Sequence, residues 1–259
     1  MMKKLVLLFF LCFQTLLCAH VNVIYDIHGQ SPLLDANLTH FLDKWRTDTV
    51  SPIQEGIYKN VVVNGDPTRK NIALTFDDSP DENNTIKLLN ILDTHHVKAA
   101  FFMIGGTMRD GNISVVKQTH NEGHLVLSHS FNHPRFTDLN ETAIIEQLDK
   151  AAGRIEAITQ NYPLLFRPPY GSINQNVLNT INEHNVTTVL WSLDSLDWTL
   201  KDPDAVIQNV VSNVRNGDII LMHRNPTSVA SLAKIIEILQ SQGYTIDRLD
   251  TLLGIHPYR

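Results

Sequence analysis

The sequence predicts an α/β fold on a parallel sheet, either open or closed into a barrel. Short apolar runs of strand length alternate with amphipathic segments of helix length, about seven times over. Parallel strands need a crossover between them, and a helix usually supplies it. The 259 residues, 43% of them hydrophobic, suffice for one sizeable buried core.

In chain order, residues 1–19 read as a secretory leader. Lys3 and Lys4 precede an apolar run over 5–17, broken only by Gln14 and Thr15, and small Ala19 follows. A membrane span would need about 20 apolar residues, whereas polar residues begin at His20. No stable membrane anchor is therefore expected after cleavage. Cys12 and Cys18 both lie in this leader, so the mature chain is expected to have no disulfide. Residues 20–66 fit the alternation poorly and are expected to form an N-terminal extension, with one helix around 38–45. Residues 67–259 form the main domain.

Within that domain a strand at 72–76 is followed by a helix at 85–95, then a strand at 99–104 and a helix at 114–121. A strand at 125–128 leads into a helix at 141–159, where Ile144, Ile145, Leu148, Ala152, Ile155 and Ile158 keep one apolar face. The pattern continues with a strand at 164–166, a helix at 175–184 and a strand at 186–191. It closes with a helix at 204–214, a strand at 219–222, a helix at 228–242 and a strand at 244–246.

The formal net charge is −6, from 21 Lys and Arg against 27 Asp and Glu. An acidic chain without basic runs is a poor nucleic-acid binder, since such binding rests on neutralising phosphates. No feature of the sequence fixes an oligomeric state. Twelve histidines are the unusual count, and histidine is the commonest metal ligand.

The polar residues with chemical potential gather just after the apolar runs. The first strand leads into Asp77-Asp78-Ser79-Pro80; paired like charges are costly without a positive partner. The third leads into His129-Ser-Phe-Asn-His133, and histidines four apart can share one face of a helical turn, as zinc ligands do. With an Asp from a neighbouring strand they make a set of two His and one carboxylate that leaves a metal position open. The fourth ends in Arg167-Pro-Pro-Tyr170-Gly171, where a charged side chain leaving a buried strand needs a carboxylate. The fifth leads into Asp194-Ser-Leu-Asp197-Trp198 and the sixth into Leu221-Met-His223. The C-terminal face of a parallel sheet is where α/β enzymes place their sites. His95, His96, His120, His124 and His184 are expected on solvated surfaces.

These five segments, in this order, closely resemble the motifs of the polysaccharide deacetylase family, also called the NodB-homology family or carbohydrate esterase family four. The resemblance spans roughly residues 67–256. It implies a distorted, incomplete parallel (β/α) barrel and removal of N-acetyl groups from a glycan such as peptidoglycan or a chitin-like polymer. It implies Asp77 as general base; Asp78, His129 and His133 as ligands of a divalent metal, usually zinc; and Arg167 holding Asp77. His223 would be the general acid, oriented by Asp197; the Tyr170 N–H would bind the oxyanion; Trp198 and Leu221 would wall the acetyl pocket. Asp194 matches its motif but is expected to be structural. Ser79, where the family usually has Gly, and Arg224, where an acidic or small residue is more usual, depart from the pattern. A cation beside His223 is expected to lower its pKa unless it points to solvent. Rival readings on the same fold are an O-acetyl esterase, a small-amide amidase, and a non-catalytic glycan-binding relative.

Overall fold

The computed structural model describes residues 23–259, so the leader expected over 1–19 lies outside the described residues. Helix α1 (Ala36–Gln54) and strand β1 (Val61–Val62) precede the alternation. That alternation runs β2 (Asn71–Ser79), α2 (Asn84–Thr94), β3 (Ala100–Met103), α3 (Asn112–Asn121), β4 (Leu125–Ser128) and α4 (Glu141–Thr159). It continues through β5 (Leu165–Phe166), α5 (Gln175–Glu183), β6 (Thr187–Val189), β7 (Leu193–Asp194), α6 (Pro203–Asn213) and β8 (Ile219–His223). It ends with α7 (Pro226–Ser241), β9 (Thr245–Ile246) and α8 (Leu249–Leu253). Several helices start where the side chain of an Asp or Asn caps them: Asp35 accepts from Leu38, Asn140 from Ala143, Asn174 from Val177 and Asn225 from Ser228.

The strands form an open, curled parallel sheet in the order β1-β6-β5-β4-β3-β2-β8-β7, with β9 pairing β2. This is an incomplete barrel. All seven expected strands are present, and two short ones, β1 and β7, join them. The expected strand over 186–191 breaks because its residues serve both sides of the sheet. Val189 ends β6 near one edge and Leu193 begins β7 at the other. Four residues of chain reach at most about 14 Å, so the two sides must curl towards each other. The crossing is pinned by Leu190 N–H on Val62 O at 2.8 Å and Ser192 N–H on Ile219 O at 3.0 Å.

Side-chain alternation divides the core in two. Along β2, Ile72, Leu74 and Phe76 face the outer helices, in a cluster with Leu88, Leu92, Val206 and Ile235. Ala73 faces the inside of the curl, in a cluster with Phe102, Leu127, Ile219 and Leu221. That inner cluster also contains Ile27, Val50, Ile53 and Val63 from the segment before residue 67. Helix α1 is docked by Trp45, whose ring stacks on Trp191 with centroids 5.3 Å apart and an 8° interplanar angle. Gly171 permits the approach: its φ is +58°, and an added Cβ would come within 2.5 Å of the Trp45 ring.

Trp45→Ala removes the stacked ring and leaves a void against Trp191. It is expected to lower unfolding free energy by about 3 kcal/mol. In urea melts the midpoint should fall with the slope unchanged.

Candidate active site

Adjacent residues of a strand point to opposite faces, so Asp77 and Asp78 should diverge. They do not, because the ladder with β3 shifts register between Asp77 and Ser79, leaving Asp78 bulged with a φ of +67°. Both carboxylates then reach one imidazole: His129 Nε2 lies 3.7 Å from Asp77 Oδ2 and 3.6 Å from Asp78 Oδ1. The left-handed residue in this turn is Asp78, so Ser79 is not strained; it is buried, and its Oγ lies 3.3 Å from Thr85 Oγ1.

His129 and His133 follow β4 on a loop, not on a helical turn. Ser130 and His133 have left-handed backbone, with φ of +67° and +61°, which breaks a right-handed helix. Ser130 Oγ accepts the His133 N–H at 2.9 Å and fixes the loop. His129 Nδ1 donates to the Arg167 carbonyl at 2.7 Å. A carbonyl only accepts, so the proton sits on Nδ1 and the Nε2 lone pair faces the cluster. Burial favours the neutral ring and lowers the His129 pKa. His133 Nε2 lies 3.1 Å from Asp78 Oδ1, a buried oxygen with no hydrogen bond of good geometry. Burial opposes ionisation of Asp78, but the His133 contact and the charges of His129 and His223 outweigh it and hold the carboxyl well below its usual range. One ligand atom from each of Asp78, His129 and His133 lies within 4.8 Å of the others. A free imidazole lone pair and an unsatisfied buried carboxylate oxygen form a donor set that fits a divalent metal.

Arg167 lies behind this cluster, fully buried inside the curl. Its Nη1 donates to Asp77 Oδ1 and to Thr75 Oγ1, each at 2.8 Å. Its Nε and Nη2 donate to the carbonyls of Val189 at 3.2 Å and Leu190 at 2.8 Å.

Beside Asp77, in register across the β2–β8 ladder, stands His223. Its Nδ1 lies 2.8 Å from Asp197 Oδ1, and its backbone N–H donates to Asp197 Oδ2 at 2.6 Å. The Ser228 hydroxyl donates to the same Oδ2. Burial favours a neutral His223, but the charge and hydrogen bond of Asp197, then the charges of Asp77 and Asp78, reverse this and push it up to about 10. Arg224 does not depress it. The Arg224 Nε donates to the Asp78 carbonyl, and Nη1 lies 3.0 Å from Asp81 Oδ2, so this cation clamps the bulged turn.

A cavity of about 580 Å³ opens over Asp77, Asp78, His129, His133 and His223, with Tyr170, Trp198 and Leu221 in its walls. Tyr170 is 54% exposed, at the second position of a one-turn 3-10 helix (Pro169–Gly171), where N–H groups lack partners within the helix. Asp194 also lines the cavity and holds Trp198, accepting its Nε1–H at 3.2 Å; burial pushes the Asp194 carboxyl up to about 6. Arg167 and Asp197 support the cluster from behind. Sequence reasoning missed Thr75 and Ser228, whose hydroxyls are ordinary in strands and helix starts. The helix expected around 38–45 is present as α1, but its part in the cavity wall, with Trp45, was missed because no motif marks it. His124, expected at the surface, is buried: its Nδ1 accepts the Ala99 N–H at 3.1 Å, and burial lowers it to about 4.

The family profile described as polysaccharide deacetylase matches residues 64–189. The peptidoglycan-N-acetylglucosamine deacetylase PgdA of Listeria monocytogenes is 37% identical over 188 residues, 72% of this chain and 40% of that protein. This chain thus spans well under half the length of that relative. A peptidoglycan-N-acetylglucosamine deacetylase of Bacillus cereus is 38% identical over 191 residues, covering 71% of this chain and 88% of its own. Among solved structures, the Bc1960 peptidoglycan N-acetylglucosamine deacetylase superposes with a TM-score of 0.76 at 32% identity, over 82% of this chain and 99% of its own.

Two outcomes test this geometry. His223 binds its proton more tightly when folded, about 10 against an ordinary 6.5. Its contribution to stability is therefore complete below pH 6.5 and is lost as pH rises through about 10. In metal-free protein, the unfolding free-energy margin of wild type over His223→Gln should shrink across that window; a flat margin would refute the shared charge. Arg224→Ala removes the clamp on the Asp78 turn and is expected to cost about 1–2 kcal/mol in urea melts.

Proposed function

We propose, proceeding from the fact that the chain belongs to the polysaccharide deacetylase family, that it is a metal-dependent hydrolase releasing acetate from N-acetylated sugars of an extracytoplasmic glycan, peptidoglycan or a chitin-like polymer. The observation that carries this reading is the joint presence, in one cavity, of a metal-fitting cluster, an Arg-held carboxylate and a histidine paired with a buried Asp.

Asp78, His129 and His133 would hold the metal, and two imidazoles with one carboxylate suit zinc with a position left open. The metal, when bound, supplies a water acidified towards about pKa 7 and a Lewis acid for the acetamide carbonyl. Asp77, fixed by Arg167, takes the proton of the attacking water. A bond forms from that water oxygen to the acetyl carbon, and the carbon–nitrogen bond then breaks. The departing nitrogen takes a proton from His223, whose Nδ1 is committed to Asp197 and whose Nε2 is the remaining proton site. The products are acetate and a free amino sugar. The Tyr170 N–H would donate to the charge developing on the carbonyl oxygen, while Trp198 and Leu221 would enclose the methyl group. An amine leaves only when protonated, so a histidine in position to supply that proton suits amide substrates. Export by the segment over 1–19 belongs to the same reading, since it would bring the enzyme to its glycan.

Acetate release should be measured over peptidoglycan, chitin oligomers and acetylated xylan, with and without chelator. The joint variant His129→Ala and His133→Ala should lose metal content and acetate release together. Asp77→Asn should keep its metal and lose roughly 10²- to 10⁴-fold in rate. Retained activity in the double histidine variant would refute the assignment.

A further inference from the structure

Helix α1 brings Phe41, Lys44, Trp45 and Asp48 to the same cavity that holds Asp77, His129 and His223. Spacings of three, four and seven residues put them on one helical face. They have different surroundings on that face. Trp45 is stacked on Trp191 and fixes the helix. Phe41, one turn earlier, is 53% exposed and packs into neither core cluster. Lys44 Nζ and Asp48 Oδ2 pair at 2.7 Å beside it, both largely exposed. A large aromatic ring left open to solvent in the wall of the cavity, with charged hydrogen-bonding groups beside it, has the character of a binding surface and not of a core.

A pyranose ring has the matching chemistry: one face of apolar C–H groups and a rim of hydroxyls. We propose that the exposed face of α1 is a sugar subsite, in which Phe41 stacks on a pyranose neighbouring the one whose acetyl group enters the catalytic cluster, while Lys44 and Asp48 bond its hydroxyls. The proposal rests on the glycan reading above. It makes the enzyme selective for chains over single sugars, through residues that lie before the segment matching the family profile, residues 64–189.

The test uses the metal-loaded enzyme and an N-acetylated chitin tetrasaccharide. Phe41→Ala should raise KM roughly five- to tenfold, with the loss in KM and not in kcat. Phe41→Tyr should restore it, and metal content and melting midpoint should not move. Leu33→Ala removes an apolar side chain that is 65% exposed and outside the cavity lining, and should leave KM as in wild type. An unchanged KM in Phe41→Ala, or a fall in kcat alone, would overturn the subsite while acetate release by wild type upholds the glycan reading. If wild type releases no acetate from the tetrasaccharide, that reading fails for chitin-type chains, and calorimetry of the same pair decides the subsite. Binding weakened by Phe41→Ala supports it; equal or absent binding overturns it.

Discussion

One buried guanidinium organises this molecule. Arg167 sits inside the curl with no exposure, and an unpaired cation there would cost several kcal/mol. It is satisfied by Asp77, Thr75 and the carbonyls of Val189 and Leu190, and it lies over the ring of Phe102 at 4.1 Å. Those partners belong to β2 and to the end of β6, which stand four places apart in the sheet order. The contact therefore spans the inside of the curl and fixes the carboxylate of Asp77 in the same act. The carbonyl of Arg167 accepts a hydrogen bond from His129 Nδ1–H, so the same residue also sets the tautomer of a proposed metal ligand. Fold closure and site geometry are not separable at this residue.

Around the site the backbone departs repeatedly from its preferred conformations. Asp78, Ser130, His133, Tyr170 and Leu196 all have left-handed φ values between +60° and +67°. Each carries a cost of order 1 kcal/mol, and most are held by an identifiable contact. Arg224 donates to the Asp78 carbonyl, Ser130 accepts from His133, and Asp194 accepts the Leu196 N–H at 2.8 Å. Without the bulge, period-two alternation would carry the Asp78 carboxylate away from the imidazoles. Strain here is the means by which neighbours in sequence become neighbours in one site.

How much was legible in the sequence follows from the range of the interactions involved. The helix over 141–159 and the strand over 125–128 could be placed because their patterns are local and their caps and turns lie within a few residues. Asp77, Asp78, His129, His133 and His223 stood out because acids and imidazoles at the ends of buried strands are costly unless they meet partners in a site. The split of 186–191 into β6 and β7 was not legible, because it depends on partners at both sides of the sheet. Thr75, Ser228 and the α1 wall were hidden for the same reason: their roles rest on partners from 31 to 146 residues away. His124 misled because polarity predicts exposure, whereas one backbone N–H was enough to let it be buried neutral.

The placing of the proposed acid and base follows from the topology. Strands β2 and β8 are neighbours, and Asp77 and His223 stand in register across their ladder. Side by side, an anion and an imidazolium would tend to satisfy each other and lose their separate roles. The structure prevents this by giving each its own partner from behind. Arg167 takes Asp77 Oδ1, and Asp197, held by the Ser228 hydroxyl and the His223 N–H, takes His223 Nδ1. Each group is left with one free atom, Asp77 Oδ2 and His223 Nε2. A pair held from behind in this way can act on one substrate bond without first breaking a contact between themselves.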